Sequence, residues 1–149
     1  MAIAKRVKTA AQFEASLASD PSNRKILLAG SMDDLVDARV YVSTDAGVSW
    51  TSRPAPPLVR GSCGLSHPAV AIGPAGLQVY ASLVSDTCQP PDPLLYVATR
   101  RGVGGGWRVR PLGATHRAAY DQRPSVAVDD NGTVYVAWPR LLGEFSSRS

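Results

Sequence analysis

Three residues with different chemistry, Glu14, His67 and Arg123, each stand immediately ahead of a short segment of similar pattern. Those segments read Ala-Ser-Leu-Ala-Ser-Asp, Pro-Ala-Val-Ala-Ile-Gly and Pro-Ser-Val-Ala-Val-Asp. A carboxylate, an imidazole and a guanidinium gathered at one place can accept, relay or donate protons and can hold an anionic group. Tyr120 and Asp121 share the stretch that leads into Arg123. The two histidines, His67 and His116, are too few to define a metal centre. Asp33, Asp34 and Asp37 supply oxygens that a hard cation such as calcium would accept, but without EF-hand spacing; solvated loop carboxylates are the other reading. Gly102 to Gly106 lies between two strand-like runs and opens no helix, so it is not a phosphate loop. Ser66 beside His67 is adjacency, not a nucleophile–base pair.

What would bring the three slots together is an internal repeat. His67 to Ala81 matches Arg123 to Ala137, with Pro68 over Pro124, Val70 over Val126, Ala71 over Ala127 and Gly76 over Gly132. Tyr80 falls over Tyr135 after one residue of slippage. A fainter copy, Glu14 to Pro21 followed by Lys25 to Gly30, comes earlier, so the period is 53 and then 56 residues. Each copy holds two apolar runs around a turn: Asp20-Pro-Ser-Asn23, Gly73-Pro-Ala-Gly76 and Asp129-Asp-Asn-Gly132. The second runs lack clean alternation, the pattern of strands covered on both faces. A second hairpin follows in the first two copies. Arg39 to Thr44 turns into Val48 to Ser52, and Leu94 to Ala98 leads to Trp107 to Val109, which sets Tyr41 against Tyr96 and Trp50 against Trp107.

Each unit is thus expected to be four short antiparallel strands, A to D, in up-and-down order. A four-stranded sheet at this spacing is a propeller blade. The fold class expected is all-β, a β-propeller fragment of about two and a half blades at 14–57, 67–112 and 123–149, behind an N-terminal extension over 1–13. Propellers close with four to eight blades. Further blades, from a longer chain or from oligomerisation, are therefore expected to complete the ring.

Bulk properties agree with a globular chain. Of 149 residues, 44% are hydrophobic and 19% charged, and 13 glycines and 12 prolines punctuate the apolar runs. The net charge of +4 is scattered, without the basic face or interleaved aromatics of a nucleic-acid binder. No apolar run reaches membrane-spanning length, and residues 1–13 hold no signal-peptide core. Cys63 and Cys88 flank the first hairpin of the second unit, as a disulfide if the chain is exported or as free thiols otherwise.

Ser43-Thr-Asp45-Ala-Gly47-Val-Ser-Trp50 reads Ser-x-Asp-x-Gly-x-x-Trp and resembles the Asp-box, or BNR repeat, of sialidase-like β-propellers. In such a motif the carboxylate accepts N–H groups of the turn, glycine permits positive φ, and the Trp packs under the hairpin. The second unit departs from it, with Ala98, Arg100 and Gly102 ahead of Trp107. The resemblance covers roughly residues 14–140. It implies that Asp45 is structural and lies on the face opposite any cleft. It also suggests an extracellular setting, although no export signal is visible.

With the third-to-fourth-strand turn at the bottom, the residues just before strand A would line the top mouth. The expected binding set is therefore Glu14, His67, Tyr120, Asp121 and Arg123. The resembling enzymes use a Tyr nucleophile and an arginine triad; this chain lacks their early Arg-Ile-Pro motif, and Arg123 alone makes no triad. The expectation is a glycan- or protein-binding scaffold that is not catalytic by itself and needs no cofactor. The alternative is a segment of an exo-sialidase or related glycoside hydrolase.

Overall fold

The computed structural model describes residues 12–33, 37–57, 65–84, 95–112, 119–121 and 123–142. Their architecture is all-β and antiparallel. The first unit is β1 (Gln12–Ser19), β2 (Leu27–Asp33), β3 (Asp37–Ser43) and β4 (Thr51–Pro54), hydrogen-bonded in that order. The second repeats it with β5 (Leu65–Gly73), β6 (Leu77–Val84), β7 (Leu95–Arg101) and β8 (Arg108–Leu112). The third comprises β9 (Ala119–Asp121), β10 (Ser125–Val128), β11 (Val134–Ala137) and β12 (Arg140–Leu142). There β10 pairs with β11 and β9 with β12, so two interrupted strands run side by side.

The strands form where Val, Ile, Tyr and Ala cluster between turn formers. Each first turn is built from its own chemistry. The Asp20 carboxylate accepts the N–H groups of Ser22 (2.8 Å) and Asn23 (3.1 Å). Asp129 does the same for Asn131 (2.9 Å) and Thr133 (2.8 Å), with Gly132 at φ 81°. The second unit has Gly73 in that position and closes through a single 3₁₀ turn, Pro74–Gly76.

Two apolar layers join the units. One gathers Leu28, Val40 and Val42 of the first sheet with Val70, Ile72, Tyr80 and Ala98 of the second. The other sets Ala69, Ala71, Val79, Ala81 and Val97 against Val126, Val128, Val134 and Val136. The middle sheet is therefore covered on both faces, which explains its unalternating sequence. Close approach decides two glycines. A Cβ on Gly73 would lie 2.3 Å from the Cγ1 of Val128, and one on Gly30 would crowd Pro68 at 3.1 Å and Val70 at 3.2 Å.

Four sequence expectations are corrected. The first strand begins at Gln12, inside the stretch assigned to an N-terminal extension. Its fourth strand is Thr51–Pro54, not Val48 to Ser52, because the turn keeps Val48 to Trp50 for itself. Tyr135 stands over Val79, not Tyr80: Ala127 pairs with Tyr135 as Ala71 pairs with Val79. Without the expected slippage of one residue, the two tyrosines lie on opposite faces. In the third to fourth strands, Ser43 pairs with Leu27 as Arg100 pairs with Gln78, so Arg100 is the counterpart of Ser43 and Ala98 that of Tyr41.

Candidate functional site

Glu14, His67 and Arg123 occupy one structural slot, and that slot is strained. Their φ angles are 55°, 53° and 34°, in the left-handed region that side chains other than glycine avoid. They do not precede the first strand of each unit, as expected, but sit within it at a β-bulge. Phe13 pairs with Met32 and Ser16 with Gly30, so Glu14 and Ala15 face one residue. Ser66 pairs with Leu83 and Ala69 with Ala81, so His67 and Pro68 do the same. In the third unit the interruption between β9 and β10 again carries one residue more than that between β11 and β12. A bulge re-aims a side chain out of the pleat. Each left-handed residue costs about 1–3 kcal/mol.

The slots of the first two units touch. The Glu14 carboxylate lies 2.9 Å from His67 Nε2 through Oε1, and its Oε2 accepts the His67 backbone N–H at 2.9 Å. Both side chains remain partly exposed. Ser16, two residues on, accepts the Val70 N–H through its Oγ at 3.1 Å, so the first strands of both units are stitched side chain to backbone. The His67 Nδ1 is buried without a partner among the described residues. A proton on Nε2, donated to Glu14, leaves a lone pair there rather than an orphaned N–H. Arg123 is exposed and forms no ion pair among the described residues. Among the described residues, the slots therefore offer a carboxylate engaged by two donors, an oriented imidazole and a guanidinium without an ion pair.

At the other end of the first sheet, the Ser43–Trp50 turn is a network of local side-chain bonds, tied to the neighbouring segment by the Ala46 N–H, which donates to the Lys25 carbonyl at 2.9 Å. The buried Ser43 Oγ donates to Asp45 Oδ1 (2.8 Å) and accepts from Gly47 N (2.8 Å) and Asp45 N (3.3 Å). Asp45 Oδ1 also accepts the Ser49 N–H (2.8 Å), and Ser49 Oγ donates to Oδ2 (2.5 Å). Trp50 Nε1 donates to the Gly47 carbonyl at 3.2 Å. Ala46 (φ 61°) and Gly47 (φ 87°) make the reversal. The Ser49 hydroxyl and N–H, then Ser43, hold the Asp45 carboxyl down at about 2. A carboxylate fixed in this way is an acceptor for its own turn and a poor proton donor.

The second unit solves the same corner differently. Arg100, 6% exposed, donates from Nε to Gln78 Oε1 at 2.8 Å, and its guanidinium lies 4.2 Å over the Trp107 ring. Trp107 meets Tyr80 edge to face at 6.3 Å. Burial, and then the charge of Arg53, push the Arg100 pKa down, and burial pushes the Tyr80 phenol up. Sequence reasoning missed this cluster because it aligned Tyr41 with Tyr96. Trp50 and Trp107, matched without a gap, would have put Arg100 under Ser43.

Other expected residues are not brought to the site by what is described. Tyr120 and Asp121 lie in β9, their backbones paired with Leu141 and Arg140, and their side chains are outside the description. Cys63, Cys88, Asp34 and His116 lie outside the described residues. Asp33 and Asp37 pair with each other across the β2–β3 end. Among the described residues, no group of three His, Cys, Asp or Glu could hold a metal ion, and no helix is long and apolar enough to cross a membrane. No family model, curated protein or solved structure matches the chain.

Proposed function

We propose that this chain is part of a β-propeller of the sialidase-like, Asp-box kind and that its bulged slots form a ligand-binding ledge. The observation that carries the ledge is the recurrence of one strained bulge in three successive units, holding Glu14, His67 and Arg123. Strain repeated at an equivalent position, with a polar side chain each time, marks a place where something other than stability is served. Support for the propeller comes from the up-and-down order of the sheets, their face-to-face packing and the Ser43–Trp50 network. On this reading the Ser43, Asp45, Gly47 and Trp50 corner is structural.

The ligand is a glycan, or a protein segment, that presents a carboxylate to Arg123. Glu14 is already occupied by His67, which leaves the guanidinium as the charge of the ledge without an ion pair among the described residues. An arginine fork matches a carboxylate in shape and charge. A carboxylate committed to two donors is badly placed to act as a general acid, so the ledge holds its ligand without turning it over. Titration of a carboxylated glycan and its neutral analogue into the chain tests this. The acidic glycan alone should bind, and Arg123→Ala should abolish the difference. Equal binding of both would refute the ledge. Hydrolysis of a fluorogenic sialoside would overturn the non-catalytic reading in favour of a glycoside hydrolase segment.

A further inference from the structure

We infer that Arg53 and Arg100 together hold an oxyanion, a phosphate or sulfate group, in the seam between the first and second sheets. Register places both residues on that seam. Arg53 pairs with Val40, and Arg100 pairs with Gln78 two positions along from the pair of Ala98 with Tyr80. Val40, Tyr80 and Ala98 belong to the apolar layer between the two sheets, and side chains two apart on a strand share a face. Ala55, just beyond β4, packs against the same layer as Trp107. The Arg100 guanidinium is buried and held in orientation: Nε donates to Gln78 Oε1 at 2.8 Å, and the Trp107 ring lies 4.2 Å away. Its Nη2 is buried without a hydrogen-bond partner. The charge of Arg53 is close enough to add to burial in lowering the Arg100 pKa. A guanidinium nevertheless keeps its proton in a protein, so the positive charge is not shed.

Two cations thus meet at the seam with no carboxylate paired to either among the described residues. A charge taken out of water needs a partner, and its absence is costly. At the matching corner of the first unit the chain supplies its own anion. Ser43, the counterpart of Arg100, donates to Asp45 two residues on. In the second unit the residue two beyond Arg100 is Gly102, and the run from Arg101 to Gly106 contains no acid. An oxyanion takes that place, accepting the Nη2 N–H and lying against the second positive charge. Guanidinium N–H groups match the oxygens of phosphate and sulfate in shape and charge. The Arg53 side chain is exposed and has no hydrogen bond or ion pair among the described residues, so it is free to shift and admit the ion from the β4 edge. Arg100 lies at the Gly73–Leu77 end of the second sheet and the bulge of His67 at the other, so the site does not rest on the ledge.

Calorimetric titration of inorganic phosphate into the 149-residue chain, at constant ionic strength set with chloride, tests it. Binding should saturate at one ion per chain. Arg53→Gln alters an exposed side chain and spares the core; it should weaken binding about tenfold, and Arg53→Lys should restore part of the loss. Arg108→Gln removes the same charge from the opposite face of the second sheet, where Arg108 pairs with Thr99, and should leave binding as it is. Methyl phosphate separates the two sources of such a group. Affinity equal to that of inorganic phosphate assigns the site to the phosphate end of a larger molecule, and binding of inorganic phosphate alone assigns it to the free ion. No saturable binding, an Arg53→Gln chain that binds as tightly as the unmodified one, or an equal loss in Arg108→Gln would each overturn the inference.

Discussion

Arg123 is the residue at which stability and binding pull apart. It sits at φ 34° without an ion pair among the described residues, so no described side-chain contact offsets the backbone strain. Arg123→Gly should raise stability by about 1 kcal/mol in urea unfolding while removing affinity for a carboxylated ligand. Glu14→Gly relieves the same kind of strain but deletes the acceptor for His67, and should leave the chain no more stable. Ser43 gives the opposite case. Ser43→Ala removes one donated and two accepted hydrogen bonds at a buried position and should cost about 1–3 kcal/mol. Its neighbour sets a pH dependence. The Asp45 carboxyl falls from 3.8 to about 2 on folding, so its contribution is present above pH 3.8 and is lost as the pH drops toward 2. Urea midpoints of the wild type and Asp45→Asn, followed from pH 6 to pH 2, should converge at the acid end.

Among the elements, the contact of β5 with β10 is the tightest joint. Gly73 adopts an extended backbone that any residue could take, so the demand for glycine is one of space. Gly73→Ala would push its methyl into Val128 and should destabilise the chain by about 1–3 kcal/mol. Val128→Ala in the same chain should recover part of this, since it removes the 2.3 Å contact and leaves one at 2.9 Å. This explains why the second unit has a glycine where the others have Asp20 and Asp129. The turn has no Asx acceptor where the next unit approaches, and Pro74–Gly76 closes it by a 3₁₀ turn instead.

For the molecule as a whole, protection should follow coverage. The second sheet takes part in both apolar layers, the first sheet and the third unit in one each. Hydrogen exchange should therefore be slowest in β6 and β7 and fastest in β10 and β11, because opening the middle sheet must break both apolar layers. Uniform exchange across the three units would show that they do not stack in this order.

The four-strand antiparallel order of the first two units and the three-fold recurrence were legible in the sequence, because they depend on local rules: apolar runs, turn formers and their spacing; β9 and β12, which extend the third unit's two strands through what read as loop, were not. The Ser43–Trp50 turn was legible for the same reason, since its side-chain bonds close within eight residues. The slot of Glu14, His67 and Arg123 was visible as a position, yet its bulge and its left-handed backbone were not, because an extra residue in a strand is defined only against its partner. The identity of Arg100 with Ser43, the opposite facing of Tyr80 and Tyr135, and the need for glycine at 73 belong to tertiary structure alone. Each depends on register or on the approach of a neighbouring sheet, and a one-residue ambiguity in sequence is a reversal of face in space.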